Sequence, residues 1–155
     1  MNSQKIWEFL ATDFYLGKLP YKLTGKYYGG GTIGTLFGLV LVYFFPFNDN
    51  IYFAFSLAIC FLSFAAASGA SALYKTQDDQ RIIIDETAGY MLSLVFLPKE
   101  INYLIIAFVF FRIYDGLKPW PIRWLDKNIK GGLGITLDDM AAGIFTNITL
   151  RIFMH

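Results

Sequence analysis

The sequence is poor in the residues on which several kinds of catalysis depend. It contains one cysteine, Cys60, and one histidine, His155, among 155 residues. A single cysteine excludes an intrachain disulfide framework and a zinc cluster of the usual spacing. Because the histidine is the last residue, where chains fray, we expect neither histidine nucleophiles nor histidine general bases. Cys60 lies in an apolar run, which favours a structural role.

Charged residues are also scarce. They make up 16% of the chain and the net charge is +1, so there is no overall basic field and we expect no nucleic-acid partner. Apolar residues account for 55% and aromatic residues for 19%, more than the core of one small soluble domain can hide. The composition therefore predicts a single integral membrane domain over residues 1–155, with the lipid bilayer as a partner.

Apolar segments predict about five helices that cross the membrane. The clearest is residues 51–70, about 20 residues without a charge. Small residues at its far end would let another helix, or a second copy in a homodimer, approach closely. The other segments are residues 30–47, 82–97, 101–116 and 135–154. We predict an all-α membrane bundle with a turn at residues 46–50.

Residues 1–28 predict an amphipathic segment at the membrane surface, because apolar and charged side chains alternate at helical spacing over residues 3–16. Lysine and arginine concentrate in this segment and in the loops at 71–81 and 117–134, whereas the turns at 46–50 and 98–100 hold only Lys99. Since positive loops stay in the cytoplasm, five crossings with a cytoplasmic N-terminus are consistent, with Arg151 as the one exception.

This topology gathers carboxylates at the cytoplasmic ends of three segments. They are Asp85, Glu86, Asp115, Asp138 and Asp139. Carboxylates at membrane depth are costly and usually face a cavity or a partner, and oxygen ligands suit magnesium. With Lys118, Arg123 and Lys130 just outside them to bind an anion, the pattern indicates metal-assisted phosphoryl chemistry at a lipid headgroup.

Simpler explanations exist for some of these residues. Residues 136–139 resemble a helix-capping box, which would give Asp138 and Asp139 a structural role. Asp115 has the spacing to pair with Arg112 on one helix face. The glycines before Thr32 suit a flexible helix start as well as a phosphate contact. The sequence has no Cys-x5-Arg and no Asp-x-Asp, which leaves metal-activated water or an unfamiliar carboxylate nucleophile.

Three blocks closely resemble the phosphatidylglycerophosphatase A family. They are IDETAG at residues 84–89, FRIYDGLKPWPI at residues 111–122 and KGGLGITLDDMAAG at residues 130–143. GGTIGT at residues 30–35 is similar to the family's glycine-threonine segment. Tyr114 and Gly116 depart from the residues often seen there, but they leave the charged positions unchanged.

The resemblance implies a magnesium-dependent hydrolase of phospholipid metabolism. Such an enzyme converts phosphatidylglycerol phosphate to phosphatidylglycerol and phosphate at the cytoplasmic face of the bacterial inner membrane. Position by position, it implies that the five carboxylates are catalytic residues and metal ligands. It also implies that Arg112, Lys118 and Lys130 bind the phosphate, and we add Thr32 to them as a further contact. Which carboxylate binds metal and which acts as base stays open.

Two other functions remain as alternatives. A CDP-alcohol phosphotransferase also uses aspartates at the cytoplasmic membrane face. However, Ala142 stands where the last aspartate of its motif belongs, and Asp115-Gly116 is followed by Leu117-Lys118-Pro119-Trp120, without the motif's Ala-Arg. An ion or lipid transporter would also carry buried acids, but transport favours charges near the middle of the bilayer rather than at one face.

Overall fold

The fold consists of helices, with no strand in the residues that this computed structural model describes, which are 3–26, 28–44, 48–76 and 79–154. The helices are α1 (Ser3–Ala11), α2 (Leu19–Thr24), α3 (Gly30–Phe44), α4 (Asp49–Tyr74), α5 (Ile84–Ser93), α6 (Ile101–Leu117), α7 (Ile122–Asn128) and α8 (Gly131–Met154). The prediction of an all-α fold is confirmed. Residues 45–47 of the first predicted segment, part of the predicted turn at 46–50, and His155 lie outside the described residues.

Local chemistry sets the ends of the long helices. The side chain of Asn48 accepts a hydrogen bond from the amide of Ile51 at 3.0 Å and caps the start of α4. This helix ends at Lys75, whose φ of 56° is left-handed. Helix α6 ends in the same way at Lys118, with a φ of 44°, and Pro119 prevents its continuation.

Successive helices traverse the bundle in alternating directions. The Nζ atom of Lys99 lies 2.5 Å from Oδ1 of Asp49, so the chain before α6 lies at the end where α4 begins. Arg151, near the end of α8, donates a hydrogen bond to the carbonyl oxygen of Val95 at 3.0 Å, which places the end of α8 there too. The starts of α3, α5 and α8 lie at the other end, which we call the site end.

The third predicted membrane segment differs most from the expectation. Helix α5 is only 10 residues long, about 15 Å at 1.5 Å per residue, and nearly all of it is buried. It packs against α3, α4 and α8, and irregular chain completes the traverse. Residues 82–97 therefore do not form one continuous helix, and the short helix within them is enclosed by its neighbours.

By length and composition, α4 is the one helix in the described ranges that could cross a membrane by itself. Helices α6 and α8 nevertheless present exposed apolar side chains at four-residue intervals, the spacing of one helix face. These side chains are Ile101, Ile105, Val109 and Ile113 on α6, and Ile144, Ile148 and Ile152 on α8. Five membrane-spanning helices stay a prediction.

The small residues near the end of α4 are used within the chain. A Cβ at Gly69 would overlap the ring of Trp7, so α1 lies directly on α4 at that point. A Cβ at Gly132 would likewise overlap Ser68, so α8 starts close against α4. The predicted close approach of other helices is confirmed, whereas the homodimer stays a prediction. Cys60 is buried, as a structural role requires.

Candidate active site

Two glycines bring the carboxylates of α5 and α8 together. A Cβ on Gly143 of α8 would overlap the carbonyl oxygen of Gly89 of α5, and a Cβ on Gly89 would lie 2.5 Å from the carbonyl oxygen of Asp139. The two backbones are therefore in direct contact. Asp85 and Asp139 each lie four residues, about one turn, before the glycine of their own helix. The glycine contact thus sets the distance between these two side chains.

Asp85, Glu86 and Asp139 form a compact cluster at the site end. One carboxylate oxygen from each lies within 4.8 Å of the others. Asp85 and Asp139 are almost fully buried, with 5% and 4% of their surface exposed. Helix α3 completes the wall, because Gly31 and Gly34 leave room for Glu86 that a side chain would fill.

Several carboxylate oxygens in the cluster are buried without a partner. Oδ1 of Asp85, Oε2 of Glu86, Oδ1 of Asp138 and Oδ1 of Asp139 have no hydrogen-bond donor among the described residues. Unpaired buried carboxylate oxygens are expensive, so such a set usually holds a cation. A donor set made only of oxygen fits magnesium better than zinc or copper. The residues present therefore fit a magnesium site.

Arg112 and Asp115 form an ion pair beside the cluster. Nη1 of Arg112 lies 2.8 Å from Oδ2 of Asp115, three residues further along α6. The same nitrogen lies 3.4 Å from the hydroxyl oxygen of Thr35 on α3. The pairing at i,i+3 considered from the sequence is thus formed, and it holds the guanidinium group next to Glu86.

Lys118 bridges two acids on the other side of the cluster. Its Nζ atom lies 2.5 Å from Oδ2 of Asp138 and 2.8 Å from Oδ1 of Asp126. Burial opposes the charged form of Lys118, but the hydrogen bonds and charges of Asp126 and Asp138 outweigh it and hold the lysine's pKa above its usual value. Lys118 is therefore a fixed positive charge at the edge of the site.

A cavity of about 360 Å³ connects these groups. Acidic and basic side chains line it together, and it is large enough for a phosphate group with bound water. The charged residues of its wall are Asp85, Glu86, Asp115, Lys118, Asp126, Lys127, Lys130, Asp138 and Asp139. The structure therefore brings all five predicted carboxylates and two of the predicted basic residues to one cavity.

The capping explanation for Asp138 and Asp139 is not supported. Helix α8 begins at Gly131, so both acids lie in its third turn rather than at its start. Asp85 and Glu86 do lie in the first turn of α5, but they point into the cluster described above.

Two site residues were not anticipated from the sequence. Thr35, rather than Thr32, contacts Arg112, and Thr32 is exposed on α3. The spacing of Gly30, Gly34 and Gly38 could have indicated the packed face of α3, and Thr35 adjoins that face. No comparable sequence pattern marks Asp126, because only the fold brings its side chain to Lys118.

Comparison with known proteins shows the family of the chain. Residues 9–154 match the phosphatidylglycerophosphatase A family. The chain belongs to this family. As the resemblance of the sequence blocks implied, the chain is a phosphatase of this family.

Curated relatives extend over most of the chain. A phosphatidylglycerophosphatase A from Escherichia coli (strain K12) is 34% identical over 152 residues, covering 96% of this chain and 84% of the relative. A phosphatidylglycerophosphatase A from Haemophilus influenzae is 32% identical and covers 78% of this chain and 74% of its own length. A relative from Bacteroides thetaiotaomicron, 30% identical with 79% of each chain covered, is provisionally named a phosphatidylinositol-3-phosphatase. No solved structure matches the chain significantly.

Proposed function

We propose that the protein hydrolyses the terminal phosphate of phosphatidylglycerol phosphate with magnesium, releasing phosphatidylglycerol and inorganic phosphate. The observation that supports this most directly is the cluster of Asp85, Glu86 and Asp139, whose buried oxygens lack donors in a cavity that also exposes basic side chains. The names of the relatives from E. coli and H. influenzae support this substrate.

The five carboxylates divide into two groups with different roles. Asp85, Glu86 and Asp139 would hold magnesium, because they form no ion pair in the described part of the chain and lie within reach of one another. Magnesium bound there would offset phosphate charge and lower the pKa of a coordinated water. Asp115 and Asp138 are each paired with a cation, so they fix Arg112 and Lys118 in place.

The basic residues bind the phosphate and stabilise charge in the transition state. Lys118 lines the cavity, Arg112 lies next to the Glu86 side chain that lines it, and exposed Lys130 adds a further charge to its wall. Water attacks phosphorus while the bond from phosphorus to the headgroup oxygen breaks. A cavity carboxylate accepts the proton that the water loses, and the headgroup oxygen takes a proton from solvent water and leaves as an alcohol. Thr32, exposed at the start of α3, stays a candidate contact for the phosphate.

The site lies at the cytoplasmic face of the bacterial inner membrane in this proposal. The exposed apolar faces of α6 and α8, together with α4, suit a bilayer. Most of the lysine and arginine residues in the loops and at helix ends lie at the site end, whereas Lys99 and Arg151 lie at the opposite end. The positive-inside rule therefore favours a cytoplasmic site.

The alternatives make different predictions. A CDP-alcohol phosphotransferase would release a nucleotide and no inorganic phosphate, and a transporter would move an ion or lipid without breaking a bond. Phosphate release by purified protein, with no ion or lipid flux in liposomes, distinguishes hydrolysis from both.

The decisive experiment measures phosphate release from phosphatidylglycerol phosphate in detergent micelles. We expect activity with magnesium, none with excess EDTA, and a loss of at least about 100-fold in Asp139→Asn, which removes a charge from the cluster. Asp49→Asn is the matched control, because Asp49 is an exposed acid at the opposite end of the bundle. Full activity in EDTA or in Asp139→Asn would contradict the proposed mechanism.

A further inference from the structure

A second cavity lies along α7, outside the carboxylate cluster. It has a volume of about 340 Å³ and is lined by Pro119, Trp120, Arg123, Trp124, Lys127 and Asn128. We call it the α7 groove. Its residues recur at intervals of three and four, so they share one face of α7 and the turn before it.

The opposite face of α7 is anchored to the bundle. Ile122 is fully buried, and Asp126 forms an ion pair with Lys118, which also pairs with Asp138 of α8. Helix α7 packs against α8 through this side. The groove face is therefore turned outward by the packing of α7 and belongs to a fixed part of the site.

The groove carries positive charge and shares one lining residue with the carboxylate cavity. Arg123 and Lys127 are exposed and form no ion pair in the described ranges of the chain. Arg123 lines the groove but not the carboxylate cavity. Its Nη2 atom donates a hydrogen bond to the carbonyl oxygen of Leu117 at 3.0 Å. Lys127 lines both the groove and the carboxylate cavity, so an extended anion can reach from one to the other.

The aromatic side chains of the groove suit the boundary between lipid and water. Trp120 is 80% exposed and Trp124 is 53% exposed, although both are large and largely apolar. Tryptophan concentrates at the level of lipid headgroups, where one edge is wet and the rest is apolar. The α7 groove thus combines a headgroup-level position with two cations, which is a match for the phosphodiester of a phospholipid.

The proposed substrate carries such a group. In phosphatidylglycerol phosphate, the terminal phosphate monoester is separated by a three-carbon glycerol from the phosphodiester that joins the headgroup to diacylglycerol. Arg123 and Lys127 lie four residues apart, about one helical turn of 5.4 Å, with Lys127 nearer the carboxylates because it lines their cavity. This arrangement follows the order of the two phosphates in the lipid.

We propose that the α7 groove binds the phosphodiester of the substrate lipid while its terminal phosphate occupies the carboxylate cavity. Arg123 makes the principal contact, Lys127 lies between the two phosphates, and the tryptophans contact the apolar part of the lipid beside them. This inference rests on the proposed function and adds a basis for selectivity. A lipid whose monoester is attached directly to diacylglycerol, as in phosphatidate, lacks the group that Arg123 binds.

The test uses Arg123→Gln in the full-length protein with magnesium in mixed micelles. We expect KM for phosphatidylglycerol phosphate to rise about tenfold, since a charge-assisted hydrogen bond is lost, with a smaller change in kcat. Phosphatidylglycerol carries the phosphodiester without the monoester, so its inhibition constant should rise by a similar factor. The inhibition constant of inorganic phosphate, which fits the carboxylate cavity alone, should rise much less.

Two further variants separate charge from folding. Arg123→Lys keeps the charge, and we expect it to recover part of the affinity for phosphatidylglycerol. Lys22→Gln removes an exposed cation on α2 and should leave all three constants unchanged. Equal increases for phosphatidylglycerol and inorganic phosphate, or an unchanged constant for phosphatidylglycerol, would overturn the groove assignment. If the unmodified protein releases no phosphate from phosphatidylglycerol phosphate, the proposed function itself fails.

Discussion

At the scale of single residues, Asp13 is the buried acid that the sequence did not indicate. It follows α1, and its carboxylate accepts a hydrogen bond from the hydroxyl of Thr87, next to Glu86 on α5. Burial raises the pKa of Asp13 to about 7, the charge of Glu86 adds to this, and the bond from Thr87 opposes it. The N-terminal segment is therefore attached to α5 by a carboxyl group that titrates near neutral pH.

This pKa predicts a pH dependence of stability. Because the pKa of Asp13 is about 7 in the folded protein and 3.8 as a free side chain, folding favours the protonated form. That stabilisation is present below about pH 4 and is lost as the pH rises to about 7. Asp13→Asn stays uncharged and can still accept from Thr87. We expect it to exceed the original protein in stability above pH 7, by on the order of 4 kcal/mol.

Thermal unfolding in detergent at constant magnesium, followed across this pH range, measures the effect. Asp49→Asn is the control, because it removes an exposed carboxyl group. Parallel pH profiles for Asp13→Asn and the original protein would show that Asp13 does not titrate in this way.

At the scale of helices, the alternating directions of successive helices explain why the sequence was enough to predict that the carboxylates lie at one end of the bundle. Counting traverses along the chain is enough to bring the ends of α3, α5, α6 and α8 to one end of the bundle. Helix orientation about its own axis is a different matter. Helix α3 is apolar on most sides, so hydrophobicity alone does not reveal which face packs inward, and only the spacing of Gly30, Gly34 and Gly38 marks that face. Hence Thr32 was chosen from the sequence although Thr35 contacts Arg112.

The packing of α5 against α8 predicts a large effect of one methyl group. Gly143→Ala would force the backbones apart at Gly89 and displace Asp85 relative to Asp139. We expect a loss of stability of about 1–3 kcal/mol, typical of overpacking, and a loss of activity of about 100-fold. Gly116→Ala on α6 is the matched control, because nothing lies within 4 Å of a Cβ there. Thermal unfolding and phosphate release measure both effects, and near-normal activity in Gly143→Ala would argue against the glycine contact.

At the scale of the whole molecule, the charged groups are distributed unequally between the two ends. The site end carries the cavity, the α7 groove and most of the cations, whereas the other end carries exposed pairs such as Lys99 with Asp49. The sequence predicted this polarity from lysine and arginine counts. It did not predict that α5 would be short and enclosed, because a run of apolar residues looks the same whether lipid or protein surrounds it.

The polarity can be tested in cells by cysteine labelling. We expect Glu100→Cys to react with a membrane-impermeant maleimide added from the periplasmic side, and Lys75→Cys to react only after the membrane is permeabilised. Both positions are exposed, and they lie at opposite ends of the bundle. Cys60 is only 1% exposed, so the unmodified protein should give no signal. Labelling of Lys75→Cys in intact cells would reverse the proposed orientation.

The position of the cavity at the end of the bundle has a consequence for how the two products of the proposed reaction leave the site. A site in the middle of the bundle would have to return both products to the same surroundings. Here the inorganic phosphate enters bulk water, while the lipid product stays in the membrane and diffuses sideways. The two products are thus diluted in separate phases, one in three dimensions and one in two. Each product therefore leaves the site by its own route, and neither has to pass the other on the way out.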